Sequence, residues 1–383
     1  MDSLKKAGSH GEVLFLEPQD TTDKIGTKTG RFTVFYNRLS RSFLGRASAA
    51  PYHSLLLTRS AVKWNFSSDA LLHFHGINGA LGPLQLRNSL AKSTPVFWTI
   101  HDMWPLTGGC LVYRRCDHFQ GSCQACPALK NPFRFLAMID LQIKRDLCKG
   151  RRVQPIANSS WTARKITESA IFRNVEDIPV VHPILSQEFF PEEEISGEGA
   201  KIKSGFKIAL GARSVTDEFK GIPQFLDALA ARPALAAKVK VVIFGDGMLR
   251  IPSGLVVEQL GKIDGDRAMA QVYRGVDCFV SPSRMETFGM AIAEAQACGC
   301  RVLAFDVGGV GDAFHPEAGA MVRDGDWGAM LEALENEVEQ ADVFSEARSR
   351  VSREICGKFS PEKIAAHQLA IYERHFQKQT LKH

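Results

Sequence analysis

The chain has 383 residues, enough for two domains of ordinary size. Hydrophobic residues make up 45% of it, which allows large cores, yet no apolar run approaches the roughly 20 residues that a membrane span needs. The net charge of +5 is uneven: residues 1–185 hold 24 Lys+Arg against 13 Asp+Glu, and the remainder holds 23 against 29. A basic first half suits an anionic substrate, a membrane surface or a solvated face, and no nucleic-acid-binding motif accompanies it. The start lacks an apolar signal region, so a cytoplasmic location is expected.

Met1 to Lys6 reads as the end of a helix and residues 12–16 as a strand. Residues 17–50 are polar, with one helical stretch over 33–43. A strand over 71–74 runs into His75-Gly76, with Asn78 just beyond. A second strand, 94–99, leads to His101-Asp102-Met103-Trp104. Ligand-binding groups collect at such strand ends in open α/β sheets. His75, Asn78 and His101 are therefore candidate cleft residues, although a His beside a strand also serves structure alone. Asp102 either orients His101 or caps the following turn.

Cys110, Cys116, Cys123 and Cys126 follow in a C-x5-C-x6-C-x2-C arrangement. Zinc takes four thiolates tetrahedrally, and a C-x2-C pair reaches one ion from a tight turn. The polar loop between them has little core of its own, so a structural zinc would staple it. Two disulfides and four free thiols are the competing readings, and the cytoplasmic expectation weakens the first. The other five cysteines sit among apolar residues and read as small core residues.

Asn131-Pro132 suits a helix start. The helix expected over 133–147 sets Phe133, Phe135, Leu136, Ile139, Ile143 and Leu147 against Arg134, Lys144 and Arg145. It either packs on the core or lies on an anionic membrane. A strand at 154–158 and a helix begun at Asn158-Ser159-Ser160 come next. An acidic linker over 186–202 is the expected boundary, giving domains at 1–188 and 202–358 with a C-terminal helical segment at 359–383 that crosses back to the first.

The second half alternates strands and helices, which predicts a parallel sheet covered on both faces. Strands are expected over 206–211, 239–245, 278–280 and 301–305. After the first come Arg213, Lys220 and Gly221, then a helix. The densest stretch is SPSRMETFGMAIAEAQACGCRVLAFDVGGVGD, residues 281–312. It reads as strand end, carboxylate, glycine at a helix start, second carboxylate, strand and double glycine. A helix start attracts phosphate, glycine lets backbone approach a ligand, and a carboxylate accepts from sugar hydroxyls. The pattern suits a sugar joined to a phosphate.

Glu286 and Glu294, with seven residues between them, resemble the E-x7-E signature of retaining GT-B glycosyltransferases of the group 4 type. The flanking PS, FG, EA and GG match too. The run WTIHDMWPLTGGC, residues 98–110, is similar to bacterial colanic-acid and exopolysaccharide transferases. The resemblance covers about residues 70–376 and implies two Rossmann-like parallel-sheet domains facing a cleft. It implies that Glu286 contacts the donor sugar, Glu294 holds the nucleotide ribose, and His101 supports charge at the anomeric carbon. Arg213, Lys220 and the helix start at Gly289 would grip the diphosphate, with Gly261 and Ile263 beside the base. No catalytic cofactor is expected. The donor would be a UDP- or GDP-sugar, and the acceptor a glycan or lipid-linked glycan at the inner-membrane surface. Arg301 and Asp312 depart from the usual Pro and Glu. The family's first strand and glycine-rich loop have no counterpart before residue 12, so the alternative is an impaired nucleotide-binding or scaffold subunit of a polysaccharide complex.

Overall fold

The computed structural model describes residues 71–77, 94–113, 115–151, 153–191, 205–340 and 345–380. The strand expected over 12–16, the helix over 33–43 and Asn78 lie outside the described residues. The chain divides into two compact units, Met1–Val181 and His182–His383.

In the first unit, β1 (Leu72–His75), β2 (Val96–Ile100) and β3 (Val153–Ala157) form a parallel sheet in the order β1-β2-β3. All five residues of β2 are buried, as befits the middle strand of a sheet covered on both faces. Ser159, within the expected Asn158-Ser159-Ser160 start, caps the helix Ser160–Glu168 by accepting from the Thr162 N–H.

The helix expected from residue 133 begins later. The chain passes a cis Asn131-Pro132 peptide and a 3-10 turn, Phe133–Phe135, before the helix Leu136–Cys148 starts. The sequence pattern sets Lys144 on the charged back of this helix, but the side chain is fully buried. It points inward because two backbone carbonyls await it there, as described below.

The second unit holds six parallel strands: β4 (Phe206–Ser214), β5 (Val239–Asp246), β6 (Val256–Gly261), β7 (Cys278–Ser281), β8 (Arg301–Asp306) and β9 (Gly319–Arg323). Their order is β6-β5-β4-β7-β8-β9. The chain winds outward one way from β4, then returns to β7 and winds the other way. This is the doubly wound arrangement, with its switch point between β4 and β7. Strand alternation feeds two cores. Ala209, Phe244, Phe279, Val302 and Ala304 lie in one. Ile208, Leu210, Val241, Ile243 and Leu303 lie in the other.

The boundary falls earlier than the composition suggests. Leu185 and Phe189 are buried in the second unit's core, and the Leu185 N–H donates to the Phe359 carbonyl at 3.0 Å. The last helix, Pro361–Thr380, is grouped with the second unit. Among the described residues no helix is long and apolar enough to cross a membrane.

Candidate functional site

In the first unit, the period of two places His73 and His75 on one face of β1. Parallel register sets His75 opposite Thr99, and His101 follows β2 on the same face. His73 Nε2 lies 2.7 Å from Thr99 Oγ1, and His75 Nδ1 lies 2.9 Å from His101 Nε2. The rings follow one another in series, tilted by 39° and 31°, with centroids 4.1 Å apart for His73 and His75 and 5.2 Å for His75 and His101. Desolvation pushes His101 below its ordinary pKa. Desolvation and then the facing His101 ring push His75 down too, the first effect weakened by its exposed position. Two neutral rings allow one nitrogen to donate and the other to accept.

Asp102 caps the turn: its Oδ1 accepts from the Trp104 N–H at 2.8 Å. Burial raises its carboxyl to about 6. Beneath this turn Lys144 Nζ donates to the Trp104 carbonyl and, at 2.7 Å, to the Thr107 carbonyl. It also stands 4.0 Å from the Trp104 ring centroid. Gly108 lies against helix backbone, where an added Cβ would meet the Ala137 oxygen at 2.1 Å. Lys144 and Gly108 thus hold the loop that carries His101 and Asp102.

The four cysteines come together around one small cavity next to this loop. A hydrogen bond between Cys110 and Cys126 favours the thiolate at Cys126 and the protonated thiol at Cys110. Among the described residues no three or more His, Cys, Asp or Glu side chains stand ready around a metal point. Of the remaining cysteines, Cys278, Cys298, Cys300 and Cys356 are buried and Cys148 is half-buried.

In the second unit the carboxyl ends of all six strands share one edge of the sheet. Lys220 lies on the loop after β4, and Glu286 on the loop after β7, the two strands that flank the switch point. Lys220 Nζ donates to Glu286 Oε1 at 2.6 Å. The two loops are tied by backbone as well, since the Arg284 N–H donates to the Phe219 carbonyl at 2.8 Å. Gly221, at φ 66°, packs against Pro282, where a Cβ would meet the carbonyl oxygen at 2.2 Å. Lys-Gly is therefore needed twice here, for charge and for close approach.

Gly289, at φ 98°, opens the helix Met290–Ala297. Glu294 lies on that helix and accepts from the Tyr273 hydroxyl at 3.2 Å. Desolvation raises the Glu294 carboxyl to about 7. The two glutamates thus have different partners, Lys220 for Glu286 and Tyr273 for Glu294. Arg213 is exposed near the end of β4. Gly261 ends β6 at φ 71°, and Ile263 packs beside the core just after it.

Sequence reasoning gives no site role to Tyr273, Lys144 or His73. The signal for Tyr273 is a lone aromatic within the polar helix Asp266–Arg274.

Residues 207–340 match the family model described as glycosyl transferases group 1. The matched stretch lies within the second unit, His182–His383. Similar curated proteins include the D-inositol 3-phosphate glycosyltransferase of Rhodococcus erythropolis (strain PR4 / NBRC 100887), 47% identical over 70 residues, 17% of this chain and 16% of that protein. That of Mycolicibacterium vanbaalenii is 33% identical over 181 residues, 40% of this chain and 37% of that protein. The chain's matches thus span between about a sixth and just over a third of the length of these relatives. Among solved structures, sucrose-phosphate synthase from Thermosynechococcus elongatus aligns at TM-score 0.55 and 18% identity, over 77% of this chain and 71% of that one. Anabaena Alr3699/HepE in complex with UDP-glucose aligns at TM-score 0.55 and 17% identity, over 76% of each chain. The chain has the α/β fold of these GT-B structures, with the two parallel sheets that the sequence reading expects.

Proposed function

We propose that this protein is a retaining glycosyltransferase of the group 4 type. It moves a sugar from a nucleotide-sugar donor, a UDP-sugar first, to a hydroxyl of a glycan or lipid-linked glycan in bacterial surface-polysaccharide synthesis. The observation that carries this reading is the Lys220–Glu286 pair at the switch point of the doubly wound sheet. A cation neutralises a diphosphate, and a carboxylate orients a sugar hydroxyl. Their contact at 2.6 Å suits a ligand in which diphosphate and sugar are adjacent. The group 1 match and the UDP-glucose-bound structural neighbour support the same ligand class.

In this reading the bond between the anomeric carbon and a diphosphate oxygen breaks, and its electron pair leaves on that oxygen. Lys220, with Arg213 and the backbone N–H groups at Gly289, stabilises the departing charge. Glu286 positions the sugar, Glu294 the ribose, and Gly261 and Ile263 flank the base. The acceptor hydroxyl bonds to the anomeric carbon, and its proton passes to the diphosphate. The family resemblance gives His101, with His75 2.9 Å away, the charge-stabilising role. Exposed Phe135 and Met138, with exposed Lys130, Arg145 and Lys149, suit an anionic lipid surface. We accordingly place the protein at the cytoplasmic face of the inner membrane.

The test is thermal stabilisation by UDP, GDP, ADP and CMP, followed by transfer assays with the matching nucleotide sugars. A ligand at 100 times its Kd contributes about 2.7 kcal/mol, enough for a clear Tm shift. One nucleoside diphosphate is expected to stabilise the chain, with transfer to lipid-linked glycan. No shift with any of them would refute the donor site. Transfer to inositol 3-phosphate instead would move the acceptor to that of the curated relatives. Binding without transfer to either would favour the non-catalytic subunit.

A further inference from the structure

Among its described residues, the loop over 107–129 contains one short 3-10 turn, Asp117–Gln120, and little other regular structure. Its non-glycine residues Arg115, Cys123 and Ala125 have φ between 52° and 55°. Such backbone costs about 1–2 kcal/mol per residue and persists where the surroundings over-determine it. A loop this irregular needs a source of order beyond its own small core.

The sulfurs supply a candidate source. Cys110, Cys116, Cys123 and Cys126 line a single cavity. A backbone donor is aimed at one of them: the Gly108 N–H lies 3.3 Å from Cys123 Sγ. N–H donors favour the charged thiolate, whereas a disulfide sulfur carries no charge to stabilise. The Lys144 side chain, bonded to the Trp104 and Thr107 carbonyls, adds a buried positive charge near Cys110 and Cys123. The donor at Cys123, the buried charge of Lys144 and four cysteines on one cavity together favour thiolates there.

We propose that Cys110, Cys116, Cys123 and Cys126 bind one zinc ion as thiolates, and that this ion fixes the loop following His101. Binding releases the four thiol protons to solvent and leaves a site of net charge −2, which the Gly108 N–H and Lys144 offset in part. Bringing the sulfurs to the zinc–thiolate distance of about 2.3 Å calls for rotation of the side chains between staggered χ1 wells. The proposal does not depend on glycosyl transfer.

The experiment uses the full chain, purified without chelators from zinc-supplemented cells. Metal is measured by mass spectrometry, and the metal-free protein is then titrated with Co²⁺. About one zinc per chain is expected, together with thiolate-to-cobalt charge transfer and the visible bands of tetrahedral Co²⁺. Titrating the wild type with a mercurial should release that zinc as the four thiols react, so no variant need fold. Cys116→Ser and Cys126→Ser, where soluble, should lose the metal. Less than about one zinc in ten chains with no cobalt bands would overturn the proposal. So would two disulfides found by thiol counting without reductant.

Discussion

Gly308 and Glu286 are fitted to one another. A Cβ on Gly308 would stand 1.8 Å from the Glu286 carbonyl oxygen, and the neighbouring Gly309 N–H donates to that same oxygen at 3.0 Å. The double glycine after β8 is thus the support on which the Glu286 loop rests. Gly308→Ala is expected to cost at least about 2 kcal/mol, from the clash and from a φ of 57° that a side chain tolerates poorly. It should also abolish stabilisation by the nucleoside diphosphate. Gly311→Ala is the control, because nothing lies within 4 Å of its added Cβ. A thermal melt of both variants, with and without nucleotide, separates the two outcomes.

Lys220→Ala removes the cation but leaves the fold. The residue belongs to a partly exposed ion pair, with side chains 31% and 21% accessible, so stability should change by no more than about 1 kcal/mol. Affinity for the diphosphate should fall about 10- to 100-fold, because a charge-assisted contact is lost. Isothermal titration of wild type and variant checks this. An unchanged affinity would remove Lys220 from the site.

Glu294 should make stability depend on pH. Its folded carboxyl titrates at about 7, above the usual carboxylate value, because it is desolvated. Between these values the folded state binds more protons than the unfolded one, so stability falls as pH rises toward 7. Glu294→Gln should flatten that slope and be the more stable protein at pH 8. Tyr273→Phe, which removes a hydrogen bond to the carboxylate, should move the midpoint higher still. Denaturant melts across pH 5–8 read both effects.

Lys144→Met is expected to destabilise the first unit by about 3 kcal/mol. The variant keeps most of the side-chain volume but leaves the Trp104 and Thr107 carbonyls without their buried donor. Arg145, the next residue, is exposed on the same helix and serves as the control. Arg145→Met should change stability by less than about 0.5 kcal/mol. Chemical denaturation followed by tryptophan emission checks this, with Trp327→Phe as the background so that the second unit contributes no tryptophan signal.

Much of the second unit is legible in sequence because its signals are local. Short β-branched and aromatic runs mark β4, β5, β7 and β8 to within a few residues. Gly289 and Gly308 mark positions of positive φ, and Glu286 and Glu294 stand at a spacing that a family resemblance explains. In the first unit the strand ends at His75 and His101 are legible for the same reason. The helix start near residue 133 is misplaced, since Pro at a first helical position and Pro in a preceding turn look alike in sequence.

Runs of a few consecutive residues suffice to set the alternation of strands and helices, the positions that glycine alone suits, and the residue types at the strand ends. Long-range packing, by contrast, puts β4 beside β7, and hence lets Lys220 meet Glu286 across 66 positions of chain. Packing also joins Tyr273 to Glu294 and His75 to His101, and turns Lys144 inward to two carbonyls. These contacts link elements distant in sequence. They form where sheets and helices bring a donor to an acceptor, and for the buried Lys144 and its carbonyls the pairing avoids an unsatisfied polar group.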